Sequence, residues 1–397
     1  METMSEGPLA GLKIVDASSM VAGPMSTQIL ADQGAEVIKL EPPGVGDLCR
    51  FIGAMHGGIS HYFCVYNRNK KSLVLDLKSD QGRELLERLL QDADAFVHNL
   101  RPDAAAKLGL DSDTLLQKYP GLICAALTGF GDRGPYAGRR VYDPLIQAAS
   151  GIAATQGSAN EPSLVRQLIC DKVAGLYLSQ ALTSALLVKE RTGKGQALDT
   201  SLLDTSLAFA FAEVMGDRIF VEPCELQPDL SVIYKPWRTA DGTLAVVMLS
   251  DTEFQGWCRA VGCESLVDDE RFANPAARFT HWQALRDECE TCVASLSTDQ
   301  IMQRLVEADV PAAPVNTPEQ VLENDQVLAN EVLCSVPQPG AGDVRHVRPP
   351  VRFGQKFAGG VKAAPQLGED SVEILKGLGF ESSEIENFID QGITQTT

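Results

Sequence analysis

The stretch GLKIVDASSMVAGPMSTQILADQGAEVIKL, residues 11–40, decides the fold class. Residues 11–17 predict a strand, and Ala22-Gly23-Pro24 predicts a tight turn that places proline at the start of a helix. Residues 25–33 predict that helix, and residues 36–40 predict the next strand. A strand–helix–strand unit this short and complete indicates an α/β domain.

The same alternation continues over the first 200 residues. Further strands are predicted at 72–77, 95–99 and 122–128. A helix capped by Ser79 or Asp80 is predicted to run to about residue 91. Apolar runs that alternate with amphipathic stretches are typical of an open, mostly parallel sheet, whose ligands bind beyond the carboxyl ends of the strands. The predicted strand ends lie near Ser18, Glu41, Asn99 and Gly129.

Two domains are expected from 397 residues. Residues 208–230 contain the stretch EPCELQPD and predict a linker. The stretch YKPWRTADGTLAVVML after it predicts a hairpin that turns at Asp241-Gly242, and amphipathic stretches follow. We therefore predict a large α/β domain of residues 1–207 plus 332–397, linkers at 208–230 and 319–331, and a small α+β domain at 231–318.

Three further segments carry expectations about how the large domain is built. From Gly193 the sequence GKGQALDTSLLDTSLAFAFAEV predicts a strand followed by a buried apolar helix. Residues 332–349 predict a connector that contains proline and glycine. The stretch VEILKGLGF after Ser371 predicts a helix that rejoins the large domain.

The composition and net charge of the chain exclude several classes of binding partner. The 53 acidic and 34 basic residues give a net charge of -19, which repels nucleic acid and anionic lipid. No stretch approaches 18 apolar residues and the N-terminus lacks an export pattern, so no membrane partner and a cytoplasmic location are expected. The ten cysteines include one CxxC pair, Cys289 and Cys292, without a second pair at zinc spacing. No metal site is expected.

Basic residues gather near the predicted strand ends and indicate a ligand that bears phosphate. Solvated surface charge is the alternative for each of them. They are Lys39, Arg68, Lys70, Lys71, Arg101, Lys107, Arg139 and Arg140. The stretch Gly129-Phe-Gly-Asp-Arg-Gly134 matches GxGxxG, but Pro135 and Gly138 interrupt the helix that a dinucleotide site requires.

Asp171 is the candidate nucleophile. An apolar run leads into it, and an apolar helix is predicted from Ala174 to Val188. A carboxylate at a helix N-terminus stays ionised even when partly buried, because the helix dipole and free N–H groups favour the charge. The alternative is an ordinary N-cap aspartate.

The whole chain from about residue 8 to 370 resembles the family III acyl-CoA transferases, the CaiB/BaiF group. The segments that carry the resemblance are LKIVDASSMVAGP, GAEVIKLEPPGVGD, YNRNKKSLVLDL, DAFVHNLRPDAAAKLGL, LTGFGDRGPYAGRRVYDPLIQAASGIAATQG, CDKVAG, TGKGQALDTSLLD and RFANPAARFTHWQAL. The resemblance implies a Rossmann-like large domain with a smaller α+β domain, in an interlocked homodimer. It also implies transfer of CoA from an acyl-CoA to a carboxylic acid, with the CoA thioester as substrate and no permanently bound cofactor.

The resemblance also implies roles for single residues. Asp171 matches the catalytic aspartate that forms acyl anhydride and CoA thioester intermediates, and Asp143 matches an acid beside it, next to Tyr142. The positions that match CoA contacts are Met20, Val21, Ala22, Leu75, Asn99, Leu100, Lys107 and Arg140. Pro42 stands where formyl-CoA transferase has arginine, and the run of glycines that closes the site of that enzyme is missing from residues 231–318. No particular acceptor acid is therefore expected.

Two alternatives remain open. The α-methylacyl-CoA racemases share this fold and need a histidine before the aspartate, in a Gly-His-Asp segment, where this chain has Val141-Tyr142-Asp143. Tyrosine, with a reference pKa near 10, is a poor base at neutral pH. The second alternative is a noncatalytic CoA-binding protein, which has no need for Asp171 beside Asp143.

Overall fold

The computed structural model describes residues 7–158, 160–225 and 230–397. The strands are β1 (Lys13–Ala17), β2 (Glu36–Glu41), β3 (Met55–His56), β4 (Ile59–Ser60), β5 (Lys71–Val74), β6 (Ala95–His98), β7 (Ile123–Thr128), β8 (Ala197–Ser201), β9 (Trp237–Arg238), β10 (Thr243–Val246), β11 (Ala312–Pro314), β12 (Leu333–Gln338), β13 (Gly342–Val347), β14 (Arg352–Phe353) and β15 (Lys356–Phe357).

The helices alternate with these strands in the first half of the chain and dominate residues 251–329. They are α1 (Ala22–Asp32), α2 (His61–Tyr66), α3 (Asp80–Gln91), α4 (Pro102–Leu108), α5 (Ser112–Lys118), α6 (Asp143–Ala149), α7 (Ile169–Thr192), α8 (Leu202–Met215), α9 (Asp251–Val261), α10 (Pro275–Thr280), α11 (Trp282–Ala294), α12 (Thr298–Glu307), α13 (Pro318–Glu323), α14 (Asp325–Ala329), α15 (Ser371–Gly377) and α16 (Ser382–Asp390). The predicted cap of α3 is confirmed, since the Ser79 hydroxyl accepts from the Gly82 N–H.

Contacts within the chain define two compact units, one of Met1–Gly216 with Glu331–Thr397 and one of Asp217–Asn330. The first unit contains a six-stranded sheet in the order β5-β2-β1-β6-β7-β8, and every neighbouring pair is parallel. The predicted mostly parallel α/β sheet is confirmed. The chain adds strands to one side of β1 and then to the other, so the carboxyl ends of β1 and β6 form the switch point where open sheets bind ligands.

Alternation along the strands places a core on each face of the sheet. Ile14 of β1 and Val37 of β2 point to one face, where α1 packs against α7. Val15 and Ile38 point to the other, which α3, α5 and α15 cover. Gly175 permits the close approach of α7 to α1, because a Cβ there would lie 2.9 Å from the Ala22 carbonyl oxygen.

The second unit is a three-stranded antiparallel sheet with helices. Its strand order is β11-β10-β9, and Arg238 pairs with Thr243 across the turn at Asp241-Gly242. The predicted hairpin is confirmed. Trp237 and Trp257 are among the largest buried side chains of this unit's core.

The structure differs from the predicted linkers. Residues 208–215 continue α8, and the predicted linker 319–331 contains α13 and α14. Residues 226–229 lie outside the described residues. The expected connector at 332–349 is instead the hairpin of β12 and β13, because the turn uses Gly340 and Gly342 at positive φ and places Pro337 opposite Asp343.

Helix α8 also differs from its prediction. It follows β8 as expected, but its face is only partly covered in a single chain, since Phe209 is 55% exposed and Phe211 is 47% exposed. Helix α15 does rejoin the large unit, where it packs against β5. Within the described part of the chain, none of the helices combines the length and the apolar character that a membrane span needs.

Buried ion pairs organise the carboxyl ends of β1 and β2. Asp16 and Lys70 have fully buried side chains 2.9 Å apart, and Lys39 lies 2.8 Å from Asp47. Burial by itself would raise the pKa of Asp16, but the ammonium groups of Lys70 and Lys39 outweigh it and hold that pKa below the usual carboxyl range. The expectation that Lys39 and Lys70 offer their charge to a phosphate is therefore wrong.

Arg68 and Lys71, which were also expected to contact phosphate, are paired with carboxylates. Arg68 lies 2.6 Å from Asp32 and donates to the Val347 carbonyl oxygen. Lys71 lies 3.0 Å from both Glu36 and Glu373 at the surface. The paired carboxylates come from distant segments of sequence, so the basic residues alone did not reveal them.

We predict that Lys70→Met destabilises the protein far more than Lys71→Met. Removing the Lys70 ammonium leaves the buried Asp16 carboxylate without its ion-pair partner. This loss lowers the free energy of unfolding by about 3–5 kcal/mol. Lys71 is a matched control because its pairs are exposed and are worth about 1 kcal/mol or less. Urea unfolding of both variants at neutral pH measures the difference. Equal losses would contradict the proposed importance of the buried pair.

Candidate active site

A cavity of about 520 Å³ opens at the switch point of the sheet. It is lined by the turns that follow the strands: Ser19 and Met20 after β1, Asn99 after β6, Gly129 after β7 and Leu202 after β8. The position agrees with the general rule for ligand sites of open α/β sheets. The first turn of α7 also contributes to the cavity lining, and it does so with an acidic side chain.

That acid is Asp171, the third residue of α7. The helix begins at Ile169 after Leu168, which provides no side-chain cap, so Asp171 is not the N-cap that the alternative interpretation required. Its side chain is partly buried and lines the cavity. A carboxylate in the first turn of a long helix lies where the helix dipole favours negative charge.

Asp143 lies buried beneath Asp171. Its Oδ2 accepts a hydrogen bond of 3.0 Å from the Asp171 backbone N–H, and its side chain is almost fully enclosed at the start of α6. Burial, together with the nearby Asp143 charge, raises the pKa of Asp171 from 3.8 to about 7. The carboxylate is therefore more basic than an exposed aspartate and gains nucleophilicity when it ionises.

The turn after β1 is held in an unusual backbone conformation. Met20 has φ of 73°, and its N–H donates to Asp47 Oδ1 at 3.1 Å. Asn99 joins this turn to the end of β6, because its side-chain oxygen accepts from the Ser19 N–H at 3.0 Å and its amide nitrogen donates to the Ser19 carbonyl oxygen at 2.8 Å. Two strand ends are thereby fixed against each other at the edge of the cavity.

One side of the cavity is basic. Arg101, Arg139 and Arg140 line it and are exposed. The Arg139 guanidinium lies 4.0 Å from the centre of the Tyr136 ring, which holds it by a cation–π contact. In an acidic protein these arginines concentrate positive charge locally, and such charge attracts anions.

The structure brings most of the predicted site residues together. Those that line the cavity are Met20, Ala22, Asn99, Leu100, Arg140, Tyr142 and Asp171. The other predicted residues are not part of the described cavity lining. Val21 is buried before α1, Leu75 is in the core, Lys107 is exposed on the last turn of α4, and Asp143 lies under Asp171.

Gln147 was not among the predicted site residues. Its amide nitrogen donates to Asp143 Oδ1 at 2.6 Å, and its side chain is buried. The spacing could have indicated the contact, because residues four apart on a helix are neighbours and Gln147 follows Asp143 at that distance in sequence.

Histidine does not contribute to the described cavity lining. That lining contains no histidine, and His98, at the end of β6, is buried at the contact with Phe96. Burial lowers the pKa of His98 to about 4, so it is neutral near pH 7. Among residues 7–158, 160–225 and 230–397, no group of three or more His, Cys, Asp or Glu side chains is arranged to hold a metal ion.

Comparison with known proteins places the chain in a family. The model of the family described as CoA-transferase family III matches residues 9–371. An acyl-CoA transferase of Fusarium pseudograminearum is 34% identical over 98% of this chain and 89% of its own length. A succinate–glutarate CoA-transferase of Agrobacterium fabrum is 32% identical over 94% of this chain and 96% of its own length.

A solved structure supports the same conclusion. The CaiB/BaiF family protein of Brucella suis is 32% identical, has a TM-score of 0.83 and covers 94% of this chain and 100% of its own. The chain therefore belongs to CoA-transferase family III. It is an enzyme of that class, and the resemblance drawn from its sequence is confirmed.

We predict that Asp171→Asn stabilises the fold, and does so more at pH 8 than at pH 4.5. Because the folded pKa of Asp171 is raised, the folded state retains a proton that the unfolded state releases between pH 3.8 and about 7. Ionisation therefore costs stability as the pH rises through this window, by a few kcal/mol at about 1.4 kcal/mol per pKa unit. Asparagine removes that cost.

Urea unfolding at the two pH values measures the effect. Glu190→Gln is the control, since Glu190 is an exposed acid on the same helix. A pH-independent difference between Asp171→Asn and the unsubstituted protein would show that the pKa of Asp171 is not raised.

Proposed function

We propose that this enzyme moves CoA from an acyl-CoA to a carboxylic acid through covalent intermediates at Asp171. The observation that carries the proposal is a partly buried carboxylate in the first turn of α7, lining a cavity that Arg101, Arg139 and Arg140 also line. A carboxylate nucleophile divides a difficult acyl exchange into easier steps. The family relationship supports the overall transfer.

The steps balance without an external acid or base. The Asp171 carboxylate attacks the thioester carbonyl, the carbon–sulfur bond breaks, and CoA leaves as a thiolate with the electron pair. The thiolate then attacks the aspartyl carbonyl of the anhydride, which releases the donor acid and leaves CoA on Asp171 as a thioester. The acceptor carboxylate attacks this thioester, and the released thiolate takes the acceptor acyl group from the new anhydride. Asp171 is regenerated as a carboxylate.

The start of α7 and the buried acid support this chemistry. Asp171 lies in the first turn of α7, where the helix dipole favours the negative charge that develops on an attacked carbonyl. Burial and the Asp143 charge raise the pKa of Asp171 to about 7, so the carboxyl is only partly ionised at neutral pH. A partly protonated nucleophile at neutral pH is the cost of its greater basicity.

CoA is proposed to lie with its phosphates at the arginine-lined side and its thiol end at Asp171. Arg101, Pro102 and Arg140 line the cavity. Lys107 is exposed on α4, the helix that begins at Pro102. Met20, Ala22, Asn99 and Leu100 line the path between these groups and Asp171. Val21 and Leu75 remain predicted contacts through the resemblance, with their side chains in the core.

We also propose a homodimer with interlocked protomers. Exposed apolar side chains on α7 and α8 support an association, because a single chain leaves them in water. They are Leu176, Tyr177, Leu187, Val188, Phe209 and Phe211. The cytoplasmic location stays a prediction from the sequence.

The racemase alternative is disfavoured by the cavity. A racemase exchanges the α-proton through two groups that titrate near neutral pH. Tyr142 stands at the position of the expected histidine and is 64% exposed, and no histidine is part of the described lining. Asp171 is then left without a matching second base.

We predict that Asp171→Ala lowers CoA transfer at least about 10³-fold, because the covalent route is lost. The measurement is formation of new thioesters from an acyl-CoA panel and a panel of carboxylic acids, followed by mass spectrometry. Hydroxylamine added after the acyl-CoA should convert Asp171 of the active enzyme to a hydroxamate. Glu190→Gln should behave as the unsubstituted enzyme.

Two results would contradict this mechanism. One is Asp171→Ala enzyme that retains most of its turnover. The other is uptake of deuterium at the α-carbon of a 2-methylacyl-CoA in deuterated water without an acceptor acid, which would favour the racemase.

We predict that Arg140→Ala weakens CoA binding about tenfold or more. A charge-assisted contact to phosphate is worth about 1.5–3 kcal/mol. Lys107→Ala tests the contact that the resemblance implies, with the same expected loss. Lys118→Ala is the control, since Lys118 is an exposed lysine of α5 paired with Glu87. Calorimetric titration with CoA measures all three, and unchanged affinity in both test variants would show that the phosphates bind elsewhere.

A further inference from the structure

Gln147 makes a set of hydrogen bonds that no role in CoA contact explains. It lies on α6 with its side chain buried, and it is not part of the described cavity lining. Its amide nitrogen lies 2.6 Å from Asp143 Oδ1 and 3.1 Å from the Gln167 carbonyl oxygen. Its side-chain oxygen accepts from the Val165 N–H at 2.8 Å. Both ends of this amide are therefore used.

These bonds join the two segments that carry the acids. Asp143 is the first residue of α6, while residues 165–168 lead directly into α7 and Asp171. The Asp171 N–H donates to the second oxygen of Asp143, so one carboxylate receives a donor from each segment. A change at Gln147 would release the entry to α7 and one oxygen of Asp143 together.

The donor from Gln147 also affects where the negative charge lies. A hydrogen bond to the charged form of a carboxyl favours that form, and Asp143 receives two such bonds. Asp171 lines the cavity, and among the described residues no side chain donates a hydrogen bond to its carboxylate. The Asp143 charge contributes to the raised pKa of Asp171, and Gln147 holds the carboxylate that bears this charge.

The other groups around the pair do not compete for this charge near pH 7. Tyr66 of α2 and Cys170 of α7 interact electrostatically with Asp171. Burial raises the pKa of Tyr66 to about 12 and that of Cys170 to about 11, so both are neutral. The arginines of the cavity, Arg101, Arg139 and Arg140, are exposed and positively charged at every pH of interest.

We propose that Gln147 is a positioning residue that acts on the nucleophile through Asp143: it holds the entry to α7 and keeps the Asp143 carboxylate in place against the Asp171 backbone. The proposal rests on the role of Asp171 given above. In this proposal a neutral side chain outside the cavity helps to set the pH at which the nucleophile becomes active.

Two substitutions should shift the acid limb of the kcat/KM profile in opposite directions. Gln147→Met removes the donor to Asp143 while retaining most of the volume. The Asp143 carboxylate is then held less firmly beside Asp171, its repulsion of a negative charge there weakens, and the midpoint falls by about one pH unit. Gln147→Glu retains an acceptor for the Val165 N–H but places a second acid against Asp143, so the midpoint rises. In both variants kcat falls about tenfold or more because the first turn of α7 is less well held. KM for the acyl-CoA stays within about threefold, since Gln147 lies outside the cavity lining.

The controls separate this proposal from a general loss of structure. Gln91→Met, at the exposed end of α3, should change neither kcat nor the pH midpoint. In an Asp143→Asn background, Gln147→Met should give no further shift, because the carboxylate through which it acts is gone. Circular dichroism and urea unfolding identify any variant that fails to fold, and the second substitution then provides the test.

Midpoints that stay unchanged, or that move in the same direction in both variants, would overturn the proposal. So would an undiminished shift from Gln147→Met in the Asp143→Asn background. These failures are distinct from failure of the proposed function, which shows as transfer retained by Asp171→Ala. An enzyme that still forms the Asp171 hydroxamate while the Gln147 variants keep their pH profile would retain the function and lose only this inference.

Discussion

The ammonium group of Lys39 lies between the end of β1 and the loop after β2, enclosed from water. It donates to the Ser18 carbonyl oxygen and to Asp47, and Asp47 in turn accepts from the N–H groups of Met20 and Cys49. Burial alone would lower the pKa of Lys39, but the surrounding carboxylates outweigh it and hold that pKa above its usual range. One charge therefore fixes the turn after β1, and with it a wall of the cavity.

The fold was predictable where local signals and the buried pattern agree. The β1–α1–β2 unit and the Ser79 cap of α3 follow from alternation and capping, and both are present. The hairpin of β12 and β13 was not predicted, because its proline and glycines resemble those of a connector until the pairing of the two strands is known. The Thr317 capping box at the start of α13 is a local signal for this helix that is visible in the sequence.

The site was predictable only in part. Composition and spacing marked Asp171 as one candidate acid, while the resemblance supplied its role and the position of Asp143. The sequence did not distinguish Arg140, which lines the cavity, from Lys70, which is buried against Asp16, because that distinction depends on which carboxylate the fold brings near. Gln147 was missed for a related reason: an amide carries no charge, and its importance arises from the buried acid it contacts.

The split of the first unit around residues 217–330 has a consequence for how the protein folds during synthesis. The second unit is continuous in sequence, so all of its parts leave the ribosome together and can associate at once. The sheet of the first unit is completed later. Helix α15 covers β5, and the Thr394 hydroxyl donates to the Val74 carbonyl oxygen, only after residues 217–330 have been synthesised. Until then, the β5 side of the sheet is exposed to chaperones and to neighbouring nascent chains.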